Sequence, residues 1–161
     1  MKDYTIQLED KNTITFKIYN SEGKDTGEVL KFNLDDVELP LKIQEIQERI
    51  KKSRINLSNQ AKLIQSRSDK KGKKLMSANE EALMKLASDF FKEQAEIYNQ
   101  FLGKDGVKKL LCGNPLGWTT LKKIDTIIEE KIMPELDVSM NNIMNKIKEI
   151  YKETEDDKIL K

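Results

Sequence analysis

The stretch Phe32-Asn33-Leu34-Asp35-Asp36-Val37-Glu38-Leu39-Pro40-Leu41-Lys42 divides this chain into two kinds of sequence. Before it, apolar residues alternate with polar ones; after it, they recur every three or four positions. Pro40 has no N–H to give a strand ladder, and its ring disfavours helical dihedrals at Leu39. The change of state is therefore expected at residue 40. A chain divided in this way predicts an α+β fold, mainly α. A small N-terminal antiparallel β-sheet of two to three strands is followed by a bundle of three or more helices. The expected organisation is a β segment over 1–40, a helical body over 41–152 and a charged flexible tail over 153–161.

Tyr4, Ile6 and Leu8 alternate with polar residues, and so do Ile14, Phe16 and Ile18. Glu9 to Asn12 is polar turn material between them, so the two runs read as a hairpin, with Asn20 to Gly27 as a loop. Glu28 to Phe32 reads as a third strand. Beyond Pro40, the residues Ile43, Ile46, Ile50, Leu57, Ala61 and Ile64 fall on one helical face, interrupted by Ser53. Ser66 to Lys74 is polar and reads as a loop. Ser77-Ala78-Asn79-Glu80 fits a capping box that opens a second helix, with Leu83, Leu86, Phe90, Ile97 and Phe101 on its stripe and Gly103 as its stop.

Thr119 or Thr120 is expected to cap a last helical run after the compact Cys112–Gly117 loop. Its stripe of Leu121, Ile124, Ile128, Ile132, Leu136, Met140, Ile143, Ile147 and Ile150 is long. Pro134 within it predicts a kink or break near Lys131 to Met133.

Composition limits the chemistry. Hydrophobic residues make up 37% of the 161 residues and charged residues 35%, which predicts a thin core and a heavily solvated surface. There is no histidine, so the commonest general base and metal ligand is missing. The single cysteine, Cys112, excludes an internal disulfide and any Cys-rich zinc site, and the expected setting for it is that of a small buried hydrophobe. The N-terminus has no apolar leader pattern, and no apolar run approaches the ~20 residues of a membrane span, so a soluble, unexported protein is expected.

Asp35 and Asp36 are adjacent in an extended segment and point apart, which suits a solvated junction or helix cap better than a shared acid/base site. Gly103-Lys104-Asp105-Gly106 lacks both the full phosphate loop and the spaced acidic ligands of a calcium loop, and reads as a turn. No catalytic residue, cofactor site or metal site is expected.

Net charge is only +1, but it is unevenly spread. Residues 1–48 carry 6 Lys against 11 acidic residues, whereas residues 49–74 carry 10 basic residues against Asp69 alone. Arg49, Lys51, Lys52, Arg54, Lys70, Lys71, Lys73 and Lys74 therefore form a candidate basic patch, together with Lys62 and Arg67. Phosphate tracking is one reading of it. The absence of aromatic residues to stack on bases favours a solvated face or a protein contact instead. Phe90, Phe91, Tyr98 and Phe101 are the candidate partner-binding residues, with Phe91 and Tyr98 beside the apolar stripe and seven residues apart. Core packing is the alternative reading for these aromatics, for Trp118 and for Met133, Met140 and Met144.

The N-terminal β segment, the Phe32 to Leu41 junction and the element Phe101-Leu102-Gly103-Lys104-Asp105-Gly106-Val107-Lys108-Lys109-Leu110-Leu111-Cys112-Gly113 together resemble the tail assembly chaperones of long-tailed phages and prophages of Gram-positive bacteria. The resemblance implies a non-enzymatic protein of the host bacterial cytoplasm. It would bind the tape measure protein, with the tail tube protein as a further candidate partner, would form homo-oligomers, and would be absent from the finished virion. It also implies that a frameshifted longer form could extend from the acidic Glu153 to Asp157. The Lys-rich Ser66–Lys74 loop and the Cys112–Trp118 segment depart from the family pattern. A structural tail or head-completion protein is the alternative, and a nucleic-acid-binding helical protein using residues 49–74 the lesser one.

Overall fold

The computed structural model describes residues 1–8 and 12–160, with side chains through Thr154. Chain order is β1 (Thr13–Tyr19), β2 (Asp25–Asn33), α1 (Glu38–Gln65), α2 (Ala78–Leu102), α3 (Gly106–Leu111), α4 (Trp118–Ile127), a π-helical turn (Ile128–Ile132) and α5 (Met133–Leu160). The fold is α+β and mainly α, with a two-stranded antiparallel sheet among the described residues.

The hairpin is not the one expected. Tyr4, Ile6 and Leu8 lie in an exposed segment outside the sheet, and β1 pairs instead with β2. The expected turn at Glu9 to Lys11 falls outside the described residues. What closes the observed hairpin is Asn20. Its Oδ1 accepts from the backbone N–H groups of Glu22 and Lys24, and its own N–H donates to Lys24 O at 2.9 Å. An Asn side chain that mimics a backbone turn in this way makes a local closure stronger than a plain polar loop. Ile14 pairs with Phe32 and Phe16 with Leu30, so one face of the ribbon is apolar. Between the Lys17–Val29 and Tyr19–Asp25 pairs, the second strand carries extra residues as a bulge, and Gly27 takes φ 77° there.

Pro40 does not mark the boundary. Helix α1 begins at Glu38, and Leu39 is already helical, with its N–H donating to Asp36 O at 3.2 Å. A proline in the first helical turn loses an N–H that has no intrahelical acceptor in any case, which outweighs the pre-proline bias at Leu39. Asp36 Oδ1 accepts from the Glu38 N–H at 3.0 Å and starts the turn.

Helices α1 and α2 pack antiparallel. Arg49 donates to Gln100 Oε1 at 2.5 Å and Arg54 reaches Tyr98 further along. The Ser77 capping box forms as expected: the Glu80 N–H donates to Ser77 Oγ at 3.1 Å, and the Ser77 N–H donates to Glu80 Oε1 at 3.3 Å. Helix α4 starts at Trp118, earlier than a threonine cap would place it. Thr120 instead sits in the first turn and accepts from the Gly117 N–H at 2.8 Å.

The core joins the hairpin to the helices. Ile18, Leu30 and Phe32 meet Ile43 and Ile46 of α1, Ile97 and Phe101 of α2, Val107, Leu121, Ile124, Ile132 and Leu136. Phe32 lies 5.1 Å from Phe101 between ring centroids, and Phe16 meets Phe32 edge-on at 5.9 Å. Pro134 leaves its mark as the π turn just before it. Pro134 cannot donate to the carbonyl four residues back, and a widened turn keeps the helical run from Trp118 to Leu160 continuous.

Candidate partner-binding surface

Three of the four aromatics expected to meet a partner belong to the core. Phe90, Tyr98 and Phe101 are buried, and only Phe91 is half-exposed. The distinction follows from α2 being covered on two sides, by α1 and by α3 with α4. Tyr98, expected beside the stripe, lies under that cover.

Tyr98 is held by charge as well as by packing. Its hydroxyl donates to Asp125 Oδ1, while Arg54 donates to Asp125 Oδ2 at 2.9 Å and lies 3.4 Å from the phenol oxygen. Burial first, and then the Asp125 carboxylate, push the phenol well above its usual range, so it stays neutral throughout the physiological span. The trio links α1, α2 and α4 and borders a cleft of about 180 Å³ that also includes Ile46, Ile50 and Glu129. The trio acts as a structural tie between these helices.

Phe91 anchors a different surface. Its ring meets Trp118 edge-on at 4.7 Å, Trp118 stacks on Phe90 at 5.6 Å, and Phe90 meets Phe91 at 5.3 Å. Phe90 is buried, but Trp118 is 59% exposed. Beside this three-ring cluster runs an open cleft of about 510 Å³, lined by Met84, Phe91, Ala95, Leu111 and Leu116, with Lys92 and Lys108 at its rim. An apolar floor with aromatic and Met side chains and a basic rim is suited to an amphipathic helix laid along it.

The floor is shaped by the glycine element after Phe101. Gly103 ends α2 at φ 94°, and Gly106 starts α3 so close to α2 that a Cβ there would collide with Leu102 Cβ. Asn99 Oδ1 accepts the Val107 N–H at 2.9 Å and fixes the turn. Sequence reasoning left Trp118 with the core aromatics. Its position after a Gly-Asn-Pro-Leu-Gly loop, at the very start of a helix, was the signal that it could stand outside the stripe.

The basic residues do not gather into one patch. Arg49 and Arg54 turn toward Gln100 and Asp125, while Lys51 and Lys52 are exposed on α1. Lys70, Lys71, Lys73 and Lys74 lie beyond the far end of the helix, about 24 Å on from Arg49 at 1.5 Å per residue. There Lys71 lies 3.8 Å from Glu80, and Asn79 ties the loop to α2 through Arg67 O and Asp69. Asp35 Oδ2 accepts from Asn12 Nδ2 at 2.6 Å and Asp36 starts α1, so the two carboxylates serve separate local roles. Cys112 is exposed, not buried, at φ 49°, because the turn after α3 carries it to the surface.

Among the described residues, no group of three His, Cys, Asp or Glu side chains could hold a metal ion, and no helix is long and apolar enough to cross a membrane. The fold and surface together define a helical domain with a β-hairpin and an open apolar groove. No known protein family, curated protein or solved structure matches the chain.

Proposed function

We propose that this protein is a non-enzymatic tail assembly chaperone of a long-tailed phage or prophage, acting in the bacterial cytoplasm on the helical tape measure protein. The observation that carries the reading is the groove lined by Met84, Phe91 and Leu116 beside the exposed Trp118, open and apolar in a chain of which 35% of the residues are charged. Large exposed apolar side chains gathered in one place favour a protein partner over solvent. The resemblance of residues 32–41 and 101–113 to tail assembly chaperones supplies the identity of that partner. In this reading Gly103 and Gly106 shape the groove, and Phe91 and Trp118 contact the client.

Co-expression with the long helical tail protein of the same phage tests the reading. The client is expected to be insoluble alone and to purify as a soluble complex with this chain. Phe91→Ser with Trp118→Ser is expected to abolish that solubilisation while the far-UV circular dichroism is unchanged. Failure of the unaltered chain to solubilise the client would falsify the chaperone assignment. Recovery of the chain in purified particles at stoichiometric amounts would replace it with a structural tail role.

A further inference from the structure

Helix α5 leaves the body of the protein while keeping its apolar stripe. Leu136 is 5% exposed in the core, and the Ser139 hydroxyl donates to Leu34 O at 2.6 Å, which fixes the helix to the end of the hairpin. Along the same face Met140 is 39% exposed and Ile143 half-buried, and beyond them exposure rises to 55% at Ile147, 64% at Ile150 and 67% at Tyr151. Met140, Ile143, Ile147, Ile150 and Thr154 are spaced alternately three and four apart, the repeat of a two-helix seam. Met144 and Tyr151 widen one side of it. At 100° per residue the set spans about 120° of the helix surface, the width of a face made to be covered.

We propose that this face is covered by α5 of a second copy, running antiparallel about a twofold axis between Lys148 and Glu149. The charges choose both the partner and the direction. With Ile147 set opposite Ile150 of the second copy, Lys146 falls opposite the second copy's Glu153, and the twofold axis makes that pair twice. On the other flank, Met144 meets the second copy's Tyr151, again twice. Among the residues with described side chains, a parallel, in-register pairing sets Lys146 beside Tyr151 instead and makes no such ion pair. Over this stretch the flanks therefore complement each other in the antiparallel sense. Its short length gives a dimer that forms in a concentration-dependent manner. The groove at Phe91 is on other helices, so this pairing does not depend on the client reading.

The test is the mass of the purified full chain by light scattering across a dilution series. A dimer at high concentration that dissociates on dilution is expected. Ile147→Asp with Ile150→Asp is expected to give a monomer at every concentration with unchanged circular dichroism, because both side chains stand clear of the core. Lys146→Glu alone is expected to weaken the dimer about tenfold, the size of two lost and reversed exposed ion pairs. Adding Glu153→Lys to it is expected to restore the original affinity. A chain that is monomeric throughout, or a dimer indifferent to the two aspartates, would overturn the proposal, and the apolar N-terminal residues Tyr4, Ile6 and Leu8 would become the next occupant to test. A double charge reversal as weak as the single one would overturn the antiparallel register.

Discussion

Gln94 is fully buried at the centre of α2, and no partner among the described residues reaches either its amide nitrogen or its amide oxygen. Ser53, on the α1 seam, is buried in the same unpaired state. A polar group taken out of water without a partner loses roughly 1–3 kcal/mol relative to a satisfied one, and an apolar side chain of similar size avoids that loss. Gln94→Leu is accordingly expected to raise stability by about 1–2 kcal/mol. In a chain of this size, that corresponds to a rise in Tm of roughly 2–4 °C per kcal/mol. Thermal denaturation followed at 222 nm reads the change. A fall in Tm would mean that the amide serves an interaction beyond the isolated chain. Helical spacing puts Gln94 four residues after Phe90 and four before Tyr98, in the middle of the apolar face, so its burial was legible in the periodicity and only its polar residue type hid it.

At the scale of elements, what was legible in the sequence was what local chemistry decides. The capping box at Ser77, the stop at Gly103 and the strand at Thr13–Tyr19 all follow from neighbours within a few residues. What was not legible depended on competition between segments. Tyr4 to Leu8 alternates as cleanly as β2 does, yet β2 wins the pairing with β1 because Asn20 closes a short connection and because Leu30 and Phe32 gain the core. Pro40 was read as the change of state and Pro134 as a kink or break near Lys131 to Met133. The first is tolerated as an opening-turn residue and the second as the sequel to a π turn, since a helix held by tertiary packing can absorb a missing N–H at either place.

Gly106 belongs to this scale too, because it governs how closely α3 can approach α2. Gly106→Ala places a methyl group against Leu102 Cβ, on backbone-fixed atoms that cannot swing aside. Overpacking of that kind costs about 1–3 kcal/mol. The substitution should lower the urea midpoint without altering its slope, and should also reduce client binding by shifting Leu111 in the groove floor. Gly103→Ala is strained for another reason, its φ of 94°.

For the molecule as a whole, the arrangement of charge separates two accounts of residues 49–74. As a nucleic-acid surface, the block should act as one field, and each removed cation should weaken binding and flatten its salt dependence similarly. Arg54 is placed to do something else: it bridges α1 to Asp125 of α4 and to the Tyr98 phenol of α2, so it binds three elements of the core together. Its side chain is partly exposed, so screening limits the pair to the modest worth of a surface ion pair strengthened by a hydrogen bond. Arg54→Ala is expected to lower stability by about 1 kcal/mol, the Asp125 and Tyr98 groups being left with one partner fewer. Replacing Lys70, Lys71, Lys73 and Lys74 together with Gln, in the loop beyond α1, is expected to change stability by less than about 0.5 kcal/mol per position. Urea denaturation of the two variants side by side separates the accounts. A loss of about 1 kcal/mol with Arg54→Ala, well above the loss per position in the lysine variant, places that cation in the fold. Equal, small effects on stability, joined to parallel losses of DNA retention that vanish at high salt, would return the whole block to a phosphate-binding role.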